Sequence, residues 1–409
     1  MNNNTVYWIW LVNALGYNNP KYKKVYEMYN SIEAFYNGGE KEWRLCGIFS
    51  NKELNSLKKS NLSDARAIIS RCISLGYSIF TFEDEEYPEC LYNIYSPPAV
   101  LYVSGDLPDI DNRLSIAIVG ARRPREYGIR HSYNIAYNLS KAGVTVVSGG
   151  ALGVDCASHR GALNAQGVTV CVLGCGINAD YLRENANMRR DITFKGAVIS
   201  EYPPDTPPRS FHFPARNRII SALSDGVVII EAGEKSGSLI TANFALEQGK
   251  ELFALMAAAD SKYDLGSNML IKEGCAIPIT DYKDIIKSFE NVYVTNSVDE
   301  YSATQEEIDV IPIKGKAPDE FKNRKTVDLI NKSEKEIKEK ENNKKEHKTD
   351  INLSGLEKDV YNCIGNEPVH IDEISLKLNI KVFKLLPVIT KLEMLNLIES
   401  TQGRCYKLK

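Results

Sequence analysis

Arginines and aromatic rings alternate in one short stretch near the middle of the chain. Within ten residues the sequence places Arg209, Arg216 and Arg218 beside Phe211 and Phe213. A guanidinium can hold a phosphate through two parallel hydrogen bonds, and an aromatic ring offers a face for base stacking. This combination is typical of a surface that binds single-stranded nucleic acid. The simpler alternative is that the rings fill the core and the arginines pair with carboxylates.

Four glycine-containing loops, each after an apolar run, offer a second kind of phosphate ligand. Glycine lets the backbone approach a ligand closely, and the amides that begin the following helix attract anions. One such loop alone would more often be a simple turn, but four on one sheet edge favour an anion site. None matches GxGxxG or GxxxxGK[ST], so neither a standard dinucleotide site nor a P-loop is predicted. The candidate binding residues are Gly120, Arg122, Ser148, Gly149, Gly150, Gly153, Arg209, Phe213, Arg216, Asn217, Arg218, Ser236, Gly237 and Ser238.

A second basic cluster follows the first of these apolar runs. It consists of Arg122, Arg123, Arg125 and Arg130. If both clusters face one groove, a chain of formal net charge -3 would still carry a local basic channel.

Signatures of catalysis and of metal binding are weak. His212 has no cysteine or serine nucleophile at a recognisable spacing, and Asp155 with His159 fits a helix cap or an ion pair better than a catalytic pair. The nine cysteines are scattered, without zinc spacing. We therefore expect a binding protein rather than an enzyme, with no cofactor and no metal.

The N-terminus lacks a basic leader and no apolar run approaches membrane-spanning length, so we expect a cytoplasmic protein.

The elements that must position these residues form an alternating pattern. Short, nearly continuous apolar runs separated by helical segments indicate a parallel sheet covered on both faces, in a doubly wound α/β fold. Such sheets bind ligands at the carboxyl ends of their strands. The predicted strands are 116–119, 144–147, 168–173, 197–200, 227–230 and 252–256.

A chain of 409 residues predicts two or three domains. Residues 1–76 form short helices in this interpretation, and 77–292 form the sheet domain. Residues 293–350 include a highly charged stretch, KSEKEIKEKENNKKEHKTD, which indicates a flexible linker or, alternatively, a solvated helix. Residues 351–409 predict three helices and a hairpin, as in a small winged-helix module.

Seven segments, in this order and spacing, resemble the DNA-processing protein A family (DprA, also called Smf). The resemblance implies an extended Rossmann-like sheet domain, a sterile-alpha-motif-like N-terminal domain and a C-terminal winged helix. The segments are IAIVGARRP at 116–124, VVSGGALGVDCASHRGAL at 146–163, VLGCG at 172–176, SEYPPDTPPR at 200–209, FPARNRIISALS at 213–224, EAGEKSGSLITANFALEQGK at 231–250 and GSNMLIKEG at 266–274.

The resemblance also implies a function. It implies a homodimer that binds single-stranded DNA in a basic pocket, protects incoming DNA and delivers it to the recombinase RecA during natural transformation. The implied stacking residue is Phe213. The implied phosphate contacts are Arg122, the loop 148–150, Arg209, Arg216, Arg218 and the loop 236–238.

Two single residues and one short segment depart from the family pattern. Ala121 stands where the family commonly has serine, and Leu152 where it commonly has arginine. Losing a hydroxyl and a charge from the rim would reduce or redistribute DNA affinity. Residues 256–259, MAAA, replace a usual proline-glycine turn.

Two other functions fit parts of the sequence. A nucleoside-monophosphate phosphoribohydrolase of the lysine-decarboxylase-like type has a similar sheet and a loop like 231–241, but residues 238–242 lack the carboxylate that such a loop supplies. An adaptor could instead read duplex DNA through its winged helix. The lysines available for that role are Lys377, Lys381, Lys384 and Lys391, which would more simply form a solvated face.

Overall fold

The structure is a computed structural model. It describes residues 3–29, 31–313, 356–364, 369–378, 385, 388–389, 392, 397–401 and 405–408. These residues fall into two compact units. The first contains everything described up to residue 313, and the second contains the described residues from 356 onward.

Five helices begin the first unit. Ser50 and Glu53 cap one of them reciprocally, and Gly76 ends the last in the left-handed conformation that glycine tolerates, with φ of 70°. The helices are α1 (Thr5–Leu15), α2 (Lys21–Met28), α3 (Ile32–Leu45), α4 (Asn51–Lys59) and α5 (Leu62–Leu75).

A nine-stranded sheet forms the rest of this unit. Its strands are β1 (Ser78–Thr81), β2 (Val100–Gly105), β3 (Ser115–Gly120), β4 (Thr145–Ser148), β5 (Thr169–Leu173), β6 (Ala197–Ser200), β7 (Gly226–Ile230), β8 (Glu251–Leu255) and β9 (Ile277–Ile279). The order is β1-β2-β6-β5-β4-β3-β7-β8-β9, with β2 antiparallel to both its neighbours and the other pairs parallel. The six predicted strands are confirmed to within a residue, and the doubly wound α/β fold with them.

The strand order places a crevice at one point of the sheet. Successive strands β4, β5 and β6 extend to one side of β3, whereas β7, β8 and β9 extend to the other. The connections after β3 and β7 therefore diverge at their carboxyl ends, which is where such sheets bind ligands. The helices around the sheet are α6 (Glu89–Tyr92), α7 (Glu126–Lys141), α8 (Val154–Asn164), α9 (Ala186–Ile192), α10 (His212–Ala222), α11 (Ser238–Glu247), α12 (Leu265–Lys272), α13 (Tyr282–Phe289) and α14 (Gln305–Asp309).

The N-terminal helices share a core with the sheet. Trp8, Trp10 and Leu11 of α1 are fully buried in one apolar cluster that also contains Leu101 of β2 and Ile199 of β6. The predicted domain 1–76 therefore lies on the sheet and has a core continuous with it.

Residues 296–313, which the sequence assigned to the start of the linker, lie against α7. We call this segment the strap. It contains α14, and Ala303, Ile308 and Ile311 of the strap are buried. The sheet unit thus extends beyond the predicted boundary at 292, because apolar residues after that point pack on it. The charged stretch of the predicted linker lies outside the described residues.

The second unit confirms the predicted winged-helix module. It contains α15 (Leu356–Cys363), β10 (Val369–His370), α16 (Ile371–Leu378), β11 (Ile398–Thr401) and β12 (Cys405–Leu408), with the sheet order β10-β12-β11. Val360, Ile374 and Ile398 are buried in its core. Lys377 is exposed, whereas Lys381, Lys384 and Lys391 lie outside the described residues. None of the helices described in either unit is long and apolar enough to cross a membrane.

The shared core predicts that α1 and the sheet unfold together. Replacing Leu11 by Ala should lower the free energy of unfolding by about 2–5 kcal/mol, because it leaves a cavity in that core. All three tryptophans lie in α1 and α3, so their fluorescence reports the N-terminal helices. We expect fluorescence and circular dichroism to follow one urea transition in this variant, with both midpoints shifted. An earlier fluorescence transition, with unchanged circular dichroism of the sheet, would show that residues 1–76 fold independently.

Candidate nucleic-acid interface

A cleft of about 470 Å³ opens at the carboxyl ends of β3, β4 and β7. Helix α10 forms one wall and the start of α11 forms another. The cleft therefore occupies the crevice that the reversal of strand order creates. Its lining residues are Val119, Gly120, Ala121, Arg122, Arg123, Ala151, Asp155, Ser210, Phe213, Pro214, Arg216, Asn217, Ile220, Ser236, Gly237, Ser238, Ile240 and Thr241.

Arg216 lies at the floor of this cleft. Its side chain is buried, and its Nη1 donates to the carbonyl oxygens of Gly149, at 2.9 Å, and of Val172. Its Nε donates to the Asn217 side chain at 3.3 Å. Burial lowers the pKa of Arg216, although nearby Asp155 opposes this effect. A guanidinium retains its charge through such a shift, so the floor of the cleft is positive.

Arg122 and Arg123 are exposed at the rim, in the loop after β3. The Arg122 guanidinium lies 5.7 Å from the centroid of the Phe213 ring, a distance at which cation and ring attract each other. Three arginines and one carboxylate therefore line the cleft, and its net charge is positive.

The one lining carboxylate belongs to Asp155. It is buried near the beginning of α8, where the backbone amide of Ala151 donates to its Oδ2 at 3.3 Å, so Asp155 caps the turn before the helix. Burial raises its pKa, and Arg216 and Arg122 oppose the rise. His159 does not face it, since its Nδ1 contacts the Thr169 hydroxyl at 2.8 Å in the core. In the part of the chain that the structure describes, no group of His, Cys, Asp and Glu side chains is placed to hold a metal ion.

The loop after β4 supports the cleft from below. The Ser148 hydroxyl is buried and donates to the Ile118 carbonyl at 2.7 Å, and Gly149 accepts from Arg216. A Cβ at Gly149 would lie 2.6 Å from the Arg216 Nη2, so a side chain there would displace the arginine. Gly150 and Gly153 adopt positive φ values of 65° and 77°. None of these four residues lines the cleft, and their contacts shape its floor, so their role as direct ligands stays a prediction.

The loop after β7 does line the cleft. Ser236, Gly237 and Ser238 lie immediately before and at the first turn of α11, and the two serine hydroxyls are 2.8 Å apart. A Cβ at Gly237 would meet no atom within 4 Å, so the backbone there is open. The partial positive charge of the α11 N-terminus adds to that of the arginines.

Arg218 faces away from the cleft. Its Nη2 donates to the Glu201 carboxylate at 2.8 Å, its Nε to the Ser96 carbonyl at 2.8 Å, and both members of the ion pair are buried. These bonds hold α10 to the protein interior, so the structure lends no support to the predicted role of Arg218 as a phosphate contact. Arg209 is exposed but does not line the cleft.

Phe213 does not offer a free face for stacking. Its side chain is only 5% exposed, and its ring packs 5.2 Å from that of Tyr181. A Cβ at Gly174 would lie 2.8 Å from the ring, so the glycine that directly follows β5 leaves room for it. The simpler alternative, that this ring fills the core, is correct for Phe213. Phe211, by contrast, is 63% exposed.

Two arginines of the second basic cluster are also paired elsewhere. Arg125 forms ion pairs with Glu231 and Asp264, and Arg130 pairs with Glu126. Only Arg122 and Arg123 of that cluster therefore face the cleft.

Sequence reasoning missed several lining residues on α10, on α11 and just before α10. They are Ser210, Pro214, Ile220, Ile240 and Thr241. Helical spacing from Arg216 would have indicated Ile220, four residues later on the same face of α10.

Comparison with known proteins finds a family match that includes the cleft. The family model for DNA recombination-mediator protein A matches residues 78–290, and that for the DprA winged helix domain matches 344–404. The chain belongs to the DNA recombination-mediator protein A family. All the residues that line the cleft lie within the first match.

Relatives in this family are similar over about half of the chain. DNA processing protein DprA from Bacillus subtilis (strain 168) is 40% identical over 199 residues, which are 49% of this chain and 67% of that protein. Protein Smf from Escherichia coli (strain K12) is 40% identical over 216 residues, which are 53% of this chain and 57% of that protein. The X-ray structure of DprA from Streptococcus pneumoniae aligns with a TM-score of 0.61 and 28% identity, over 70% of this chain and 98% of that one.

The buried ion pair between Arg218 and Glu201 predicts that Arg218 contributes to the stability of the fold. Replacing Arg218 by Ala should lower the free energy of unfolding by about 3–5 kcal/mol, because it leaves the Glu201 carboxylate buried without its partner. Replacing the exposed Arg209 by Ala is the matched control and should change stability by less than about 0.5 kcal/mol. Urea denaturation measures both. Equal losses in the two variants would contradict the structural role of Arg218.

Proposed function

We propose that the cleft binds the backbone of single-stranded DNA, and that the chain protects incoming DNA and delivers it to the recombinase RecA during natural transformation. It acts in the cytoplasm, by binding rather than by catalysis. The observation that carries the proposal is the positive cleft, with Arg216 at its floor and Arg122 and Arg123 at its rim. The description of the family as a recombination mediator supports the proposed delivery of DNA to the recombinase.

The composition of the walls favours a single strand. Arginines and the open backbone near Gly237 supply phosphate ligands, whereas Pro214 and Ile240 add apolar surface beside them. A single strand can turn its phosphates into a cleft of this size while an unpaired base rests on the apolar wall. A duplex presents its phosphates on a convex surface and keeps its bases stacked inside.

The residues that line this cleft do not suit the phosphoribohydrolase alternative. Hydrolysis of a glycosidic bond commonly uses an acid and a base on opposite sides of the bond. Asp155 is the only carboxylate among the residues that line this cleft, and it is buried with a hydrogen bond from the backbone. Release of free base from nucleoside monophosphates by the purified protein would revive this alternative.

A homodimer is supported by an apolar edge of the sheet unit. Leu265 and Met269, one helical turn apart on α12, are both exposed, as is Ile277 on β9. Strand β9 lies at one edge of the nine-stranded sheet, and within the part of the chain that the structure describes no further strand pairs with its outer side. We propose that a second copy covers this edge.

The DNA proposal predicts a loss of affinity when the rim charge is removed. Arg122→Ala should weaken binding of a single-stranded oligonucleotide roughly tenfold, because a charged hydrogen bond to phosphate is lost. The slope of the logarithm of the binding constant against the logarithm of salt concentration should also become less negative by about 0.7, since the variant makes one fewer contact that releases a counterion. Wild-type protein should bind the matching duplex more weakly.

Fluorescence anisotropy over a salt series measures both quantities. The matched control is Arg66→Ala, which removes an exposed arginine from α5. Equal affinities for wild type, Arg122→Ala and Arg66→Ala would contradict the assignment of the cleft.

The dimer proposal predicts that a charge on the apolar edge separates the copies. Met269→Glu should convert a dimer to a monomer in sedimentation velocity, because the new carboxylate would be buried without a partner. Ile73→Glu, at an exposed apolar residue of α5, is the control and should remain dimeric. A Met269→Glu protein that is still dimeric would exclude this edge as the interface.

A further inference from the structure

One face of α7 holds the strap by its backbone. Arg130, Asn134 and Asn138 recur at every fourth residue, which places them in one row along the helix. All three side chains point at the extended part of the strap, around residues 301–303.

Four hydrogen bonds join this row to two strap residues. The Asn138 Nδ2 donates to the Tyr301 carbonyl at 2.9 Å, and its Oδ1 accepts from the Tyr301 amide at 2.9 Å. The Asn134 Oδ1 accepts from the Ala303 amide at 2.8 Å, and the Arg130 Nη1 donates to the Ala303 carbonyl at 2.9 Å. Both backbone polar groups of each strap residue are thus satisfied, much as in a paired strand.

Side chains of the strap reinforce this attachment. The Tyr301 ring stacks on Tyr137 with centroids 4.1 Å apart. The Glu307 carboxylate accepts from the hydroxyls of Tyr133, at 2.8 Å, and of Tyr301. The strap is therefore bound by specific contacts rather than by apolar packing alone.

The end of the strap shares an apolar cluster with one residue that lines the cleft. Ile308 and Ile311 are buried in the same apolar cluster as Phe213, the ring on which Arg122 rests. The next carbonyl along, that of Pro312, accepts from the Gly153 amide at 3.2 Å. That amide lies at the beginning of α8.

Gly153 lies directly against the loop that carries Arg122. A Cβ at Gly153 would be 2.5 Å from the Ala121 carbonyl oxygen and 2.8 Å from the Arg122 carbonyl carbon. The amide of Val154 donates to the same Ala121 carbonyl at 3.1 Å. The strap end, the first turn of α8 and the loop after β3 are therefore in continuous contact.

We propose that the strap is a positioning element for the DNA cleft, and that Asn134 and Asn138 are positioning residues that act through it on Arg122. This inference rests on the proposed binding of single-stranded DNA. A fixed strap holds Gly153 and Phe213 in place, and these hold the Arg122 loop in the geometry that meets a phosphate. By linkage, DNA bound at Arg122 must in turn strengthen the attachment of the strap.

The test uses the full chain and a double-mutant cycle. Asn138→Ala removes two bonds to Tyr301 and should weaken single-stranded DNA binding on the order of fivefold, the lower range of measured couplings between sites. Glu300→Gln is the matched control, because the contact described for this strap residue is an exposed ion pair with Lys283. The affinity of this variant for single-stranded DNA should equal that of wild type. Asn138→Ala should add little to the loss already caused by Arg122→Ala, since both act on one contact.

A second measurement needs no variant. Addition of single-stranded DNA to wild-type protein should slow hydrogen exchange at the amides of Gly153, Tyr301 and Ala303. Unchanged exchange at these amides, or losses of affinity that add fully in the double variant, would overturn the positioning role. If wild type binds no single-stranded DNA at all, the proposed function fails instead, so the two failures are distinguishable.

Discussion

Arg216 is buried at the carboxyl ends of the strands of a parallel sheet. The groups around it must therefore supply hydrogen-bond acceptors for its charged guanidinium. A buried guanidinium is tolerated only where hydrogen-bond acceptors surround it. The carbonyls of Gly149 and Val172 accept from the Arg216 Nη1, and the Asn217 side chain accepts from its Nε. Residue 149, in the loop after β4, has to be glycine, because any side chain there would displace the Arg216 guanidinium. The same charge, with Asp155 as the one nearby carboxylate of the cleft, leaves the floor positive. The shape of the site and its preference for an anion therefore have one origin.

The arginines of α10 divide between two tasks because of helix geometry. Residues two apart lie about 200° apart around a helix, so Arg216 and Arg218 must face opposite ways. Arg216 enters the cleft, and Arg218 fixes the helix to Glu201. One arginine thus places its charge in the cleft, while the other holds the helix that carries both.

Much of this arrangement was predictable from the residue pattern, and the exceptions have physical reasons. Continuous apolar runs predicted the central strands, since a strand buried on both faces needs apolar side chains throughout. Strand β9, Ile-Pro-Ile, was missed because a proline is tolerated only at an edge and argues against a strand. The roles of Ser148 and Phe213 could not be predicted, because they depend on contacts with residues distant in the chain. The strap was missed because residues 301–303 attach through their own backbone to the asparagines of α7, and its few buried apolar residues, Ala303, Ile308 and Ile311, are too short a pattern to indicate a packed segment.

We propose that a single strand of DNA lies in the cleft between the loops after β3 and β7. Photo-cross-linking of the full chain to an oligonucleotide that contains 4-thiothymidine tests this directly, with the attached peptides identified by mass spectrometry. The account predicts cross-links within residues 210–217 and 236–241, which line the cleft, and their loss when Arg122 is replaced by Ala. Cross-links confined to α1–α5 or to the second unit, with the cleft peptides unmodified, would contradict it.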